Sequence, residues 1–135
     1  WRARSAGGRP ADRARLAEAR RAMTAAQRAG ELAPPFETAR QIADAHPQAA
    51  EAQNLAGEIA YRASRWPEAV EYLRRGASEA QGPELRFYLA VALYESGERD
   101  EAARVLREVS ARLPSTGFVE SYRVKILAGE GGQRP

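Results

Sequence analysis

Cysteine is absent from the 135-residue chain, which removes disulfides, thiolate metal sites and cysteine nucleophiles together while leaving the redox compartment open. Histidine occurs once, as His46, so no second imidazole is available for a metal site or an acid–base relay. β-Branched and aromatic residues are few beside the abundant alanine, a balance that disfavours sheets and favours helices. Long apolar runs are also missing. Stretches such as Tyr88 to Leu93 are far too short to span a bilayer, and no signal-peptide pattern is present. The expectation is that the visible chain does not insert into a membrane. Because it begins with Trp1 rather than methionine, an upstream segment carrying a signal or anchor is compatible with it. The compartment stays open between the cytoplasm, which we prefer, and a secreted, periplasmic or anchored setting.

Lysine is nearly absent too: of 21 basic residues only Lys125 is lysine, a skew that reflects base composition of the gene more than selection for phosphate binding. The net charge is +3, and its distribution matters more than its sum. Residues 1–15 carry five arginines against Asp12, or +4, whereas the remainder carries 16 basic and 17 acidic residues, or −1. The basic character belongs to the N-terminal arm, which argues against nucleic acid as the partner.

What remains is helix-forming sequence divided by short breaks. Residues 1–9 read as a disordered basic arm and 130–135 as a disordered tail around a single helical domain, 10–129. Pro10 suits a helix start, and Leu16, Ala19, Ala22, Met23 and Ala26 form one stripe up to a stop at Gly30. Pro34-Pro35 opens a second helix that ends at His46-Pro47. Further helices are expected from Gln48 to Ala63, Trp66 to about Glu79, Glu84 to Ser96, Arg99 to Leu113 and Thr116 to Ala128, separated by Ser64-Arg65, Gln81-Gly82-Pro83, Gly97 and Pro114. The fold class predicted is all-α, with seven helices.

Sliding the chain along itself until Glu51 meets Glu84 also superposes Tyr61 on Tyr94, Glu68 on Glu101, Ala69 on Ala102, Leu73 on Leu106 and Arg74 on Arg107. Small residues Gly57 and Ala90 coincide midway along one helix, where two backbones approach only if the side chains are small. Ala90, Leu93-Tyr94, Gly97, Ala102, Leu106 and Pro114, with Gly57, Tyr61, Trp66, Ala69 and Leu73 before them, resemble the tetratricopeptide repeat family over about residues 16–128. The resemblance implies a right-handed α-solenoid of three helix pairs, about 16–49, 50–82 and 83–116, closed by a capping helix, 116–128. The second repeat is one residue short and lacks the closing proline. The first carries Pro35 where alanine is expected, so its second helix starts late. Phe118, Tyr122, Val124 and Ile126-Leu127 are expected to cover the apolar face of the third repeat.

The family's concave face, by the same resemblance, is lined by the first helix of each pair. The candidate binding residues this implies are Arg20, Gln27, Arg28, Asn54, Glu58, Tyr61, Phe87, Val91 and Tyr94, with Ser121 and Lys125 added by the capping helix. Tyr61, Phe87, Val91 and Tyr94 make an aromatic and apolar patch suited to anchoring a peptide, and asparagine and arginine suit its backbone or acidic groups. Part of that patch is equally suited to packing against neighbouring helices or a second copy of the chain. The family's chaperone clamp is not expected, because Thr24, Glu84 and Tyr88 occupy sites where it needs other residues, and Glu84 repels a carboxylate.

No catalytic constellation, cofactor motif or metal site is found in the sequence. His46 reads as a polar ring at a helix end, meeting the last carbonyls. Acid pairs such as Asp100-Glu101 read as a solvated face at a helix start, and Trp66 as packing between repeats. The function expected is therefore non-enzymatic: a protein-interaction module that binds a peptide or protein segment in the groove. Two other readings stand beside it, a helical-repeat RNA-binding module and a regulatory or assembly domain of a longer protein or enzyme. Self-association through Phe118, Tyr122 and the last helix is a further expectation.

Overall fold

Proline and glycine set the helix boundaries much as their backbone limits require. A computed structural model describes residues 10–78 and 82–128; the expected N-terminal arm, the C-terminal tail and Gln81 lie outside them. Among the described residues there is no strand. The helices are α1 (Pro10–Ala25), α2 (Ala33–Ala45), α3 (Ala50–Arg62), α4 (Trp66–Gly76), α5 (Pro83–Glu95), α6 (Arg99–Val109) and α7 (Gly117–Arg123). They divide into two compact units where the sequence suggests one domain, the first ending at Gly76 and the second beginning at Ala77.

In the first unit α1 stops at Ala25, more than a turn before Gly30. The Glu31 carboxylate accepts the Gln27 N–H at 2.7 Å, and this local bond turns the chain into a short 3-10 segment, Ala29–Leu32. The Gln27 N–H, outweighing burial, holds the Glu31 acid below its ordinary range. Pro34 and Pro35 occupy the first turn of α2, where a missing N–H costs nothing. The end of α2 is closed from a distance: the buried Gln53 amide donates to Ala43 O at 2.7 Å. His46 departs from expectation. Its backbone N–H takes the last carbonyls, Ile42 and Ala43, whereas its ring Nε2 lies 3.2 Å from Oδ2 of the buried Asp12 on α1.

The α3–α4 pair is closely packed, and Gly57 shows why. A Cβ placed there would lie 2.5 Å from Leu73 Cγ, so the approach of the two backbones depends on the missing side chain. Gly76 similarly faces Asn54 and Gln53 at the end of α4. On the other side of α4, Tyr72 packs edge-on against Phe36 at 6.2 Å and donates its hydroxyl to Asp44 at 2.8 Å. Burial first, and then that bond, pushes the Tyr72 phenol up.

The second unit repeats this hairpin. Ser64 and Gly97 both take positive φ, 58° and 89°, just after the cap of α3 and of α5. Arg65 N–H donates to Ala60 O and Glu98 N–H to Leu93 O, each at 2.8 Å, and Ser64 and Gly97 donate to Tyr61 O and Tyr94 O, each at 3.0 Å. Both turns are Schellman caps, and they stand at the same interval as Tyr61 and Tyr94. In α5 and α6, Ala90, Leu93, Ala102 and Leu106 are wholly buried. After α6 a 3-10 turn, Ser110–Arg112, leads to Thr116. The Thr116 Oγ1 accepts Val119 N–H at 3.2 Å and caps α7. The chain then widens into a π-helical turn, Val124–Ala128.

Candidate functional site

The nine expected groove residues divide between the units, six in the first and three in the second. In the first unit Arg20, Gln27 and Arg28 are exposed on and just after α1. Gln27 and Arg28 line a surface pocket of about 340 Å³ whose other walls are Met23, Ala26, Ala29, Leu32 and Arg62. Its cations are already paired, Arg28 with Glu31 at 3.3 Å and Arg62 with Glu58 at 2.9 Å. Tyr61, half-buried, meets Trp66 edge-on at 6.0 Å, so both rings serve the α3–α4 corner. Asn54 is only 7% exposed, taken up by the contact with Gly76. As placed, it is a packing residue and leaves the expected binding surface.

In the second unit Val91 is fully buried and Phe87 is 3% exposed, so neither presents itself to a ligand directly. Phe87 instead begins a row of rings. Its neighbour is Phe118 on α7 at 6.0 Å, followed by Tyr122 at 5.3 Å and then Tyr94 at 6.2 Å, each pair edge-to-face. Such geometry sets the positive ring edge against the negative face of the next. Tyr122 also donates its hydroxyl to Glu95 Oε2 at 2.6 Å. Burial first, then this bond, raises the Tyr122 phenol to about 12.

Exposure alternates along the row, with Phe118 open between the buried Phe87 and Tyr122. Tyr122 and Ile126, one turn apart, share the inner face of the last helix at 9% and 3% exposure, whereas Phe118 is 54% and Val124 63% exposed. The expected covering role therefore holds for Tyr122 and Ile126 but not for Val124. Two positions beyond Tyr122, Val124 points away from α5, and Phe118 lies one turn too early to be enclosed. Cations lie on the row: Arg99 is 4.9 Å from the Tyr94 centroid and Lys125 4.6 Å from that of Tyr122. Arg99 is not among the expected residues. It is the first residue of α6, and only the cap at Gly97 turns it back over Tyr94.

Among the described residues no group of three or more His, Asp or Glu is placed to hold a metal, and no helix is long and apolar enough to cross a membrane. The chain finds no match among protein-family models, curated proteins or solved structures.

Proposed function

We propose that this chain is a non-enzymatic module of tetratricopeptide-like helix pairs, built as a right-handed α-solenoid, that binds a segment of another protein. The single observation that carries this reading is Phe118, more than half exposed although it is held between Phe87 and Tyr122 in the Phe87–Phe118–Tyr122–Tyr94 row. Aromatic side chains held rigid on one side and open on the other supply anchor area at low entropic cost. Support for the repeat character comes from the two caps at Ser64 and Gly97, which share hydrogen bonds and spacing. The surface of α5 and α7 is the site we favour, and Tyr94 is the groove residue it retains.

A photo-crosslinking residue at position 118 tests the reading. Adducts to another protein are expected at 118 and not at Arg104, an exposed position on α6. Adducts of equal yield at both positions, or none at 118, overturn it. A crosslinked dimer of the chain identifies the partner as a second copy instead.

A further inference from the structure

We propose that the segment taken by the α5–α7 surface is acidic and carries an apolar side chain that seats on Phe118; this rests on the protein-binding reading above and adds the partner's chemistry. Some charges on this surface are already answered. Glu120 pairs with Arg123 at 3.3 Å, and the Glu95 carboxylate receives the Tyr122 hydroxyl at 2.6 Å. Arg99 and Lys125 are different. Their partners are aromatic faces, those of Tyr94 and Tyr122, and among the described residues neither has a carboxylate within ion-pair distance, Glu98 beside Arg99 included.

A cation resting on a ring keeps its remaining N–H donors directed outward. Arg99 and Lys125 thus present donors for carboxylates, one at each ring of the Tyr94–Tyr122 pair, whose centroids are 6.2 Å apart. The exposed Phe118 ring adjoins the same pair, 5.3 Å from Tyr122. An apolar anchor beside two cations that have no carboxylate partner is complementary to an acidic segment with a hydrophobic side chain, and it disfavours a basic one. In the first unit the pocket beside α1 offers no such imbalance, because Arg28 and Arg62 there already face Glu31 and Glu58.

Selection of randomised dodecapeptides displayed in solution against the full chain, with the Phe118→Ala chain as counter-selection, separates the two claims. The expected result is enrichment of sequences with Asp or Glu flanking Leu, Phe or Trp, and depletion of Lys and Arg. A selected peptide made synthetically is expected to bind about tenfold more weakly to the Arg99→Glu, Lys125→Glu double variant. Its affinity for the native chain should fall as salt rises. The double variant must keep native helicity by circular dichroism, and Arg99→Gln with Lys125→Gln, which introduces no repulsion, should show the same direction of loss. Enrichment dependent on Phe118 but with no acidic bias overturns the acidic partner and leaves the protein-binding reading intact. No enrichment over the Phe118→Ala chain overturns both. Binding to phosphatidylserine vesicles that depends on Phe118, with no peptide enrichment, assigns the surface to an anionic membrane and likewise overturns the proposal.

Discussion

Ser64 and Gly97, at equivalent points of successive hairpins, occupy the same left-handed cap position, with φ of 58° and 89°. One is suited to it and the other is not. A side chain in this region costs about 1 kcal/mol through Cβ crowding, and glycine avoids that cost. Ser64→Gly is therefore expected to stabilise the chain by about 0.5–1 kcal/mol, and Gly97→Ser to destabilise it by a similar amount. Urea denaturation of both variants checks the opposite signs. Two changes of the same sign would mean that the caps are not equivalent.

Gly57 gives a prediction about packing. Its added Cβ would meet Leu73 Cγ at 2.5 Å and the Leu73 backbone nitrogen at 3.1 Å, and Leu73 is fully buried with no space to swing away. Gly57→Ala should cost about 1–3 kcal/mol by overpacking. Gly30 has nothing within 4 Å of such an atom, so Gly30→Ala should change stability by less than about 1 kcal/mol. In a double-mutant cycle, Gly57→Ala with Leu73→Ala should cost less than the sum of the single changes.

Gln53 joins three parts of the first unit through one amide. Its Nε2 donates to Ala43 O at 2.7 Å, and its Oε1 accepts from Arg75 Nη1 at 3.3 Å. Gln53→Ala removes the shorter of the two hydrogen bonds to the Ala43 carbonyl, which keeps the His46 N–H at 3.3 Å, and the expected loss is about 0.5–1.5 kcal/mol. Hydrogen exchange should accelerate first in the last turn of α2. Unchanged protection there would mean that the His46 N–H alone closes this end of the helix.

Tyr122 supplies the pH dependence. Its folded pKa is raised to about 12 from an ordinary 10, so the neutral phenol is the form the fold favours. The stabilisation is complete below pH about 10 and is lost as pH rises through about 12. Phenolate absorbance should show Tyr72 and Tyr122 titrating late, and only the Tyr122 contribution should disappear in Tyr122→Phe. Stability of the native chain should decline over that same interval more steeply than that of the variant. Titration of Tyr122 near 10 would contradict the burial and the Glu95 bond together.

Several features were legible in the residues alone. Pro10, Pro34-Pro35, Pro47, Gly82-Pro83 and Gly97 act through their own φ limits or missing donors, which need no distant neighbour, and the helix boundaries near them fall close to expectation. Boundaries set by side chains do not read as well. The early end of α1 depends on Glu31 reaching back to Gln27 N–H, and an acid in that position has no sequence signature that separates it from a solvated one. At the end of α4, Gly76 likewise leaves room for Asn54 and Gln53 across the hairpin, a contact that no local pattern announces.

The candidate site divides along the same line. Sequence periodicity determined that the chain is all-α, that its hairpins recur at the interval from Tyr61 to Tyr94, and that Phe87 and Tyr94 share one helix while Phe118 and Tyr122 share the last one, because period and small-residue spacing are local properties. Only the tertiary structure decided which of them are available. Exposure depends on atoms brought in from elsewhere in the chain: Asn54 and Val91 are enclosed, Phe118 is left open, and Arg99 is turned onto Tyr94 by the Gly97 cap. Burial is a property of the assembled neighbours, so no single residue's chemistry announces it.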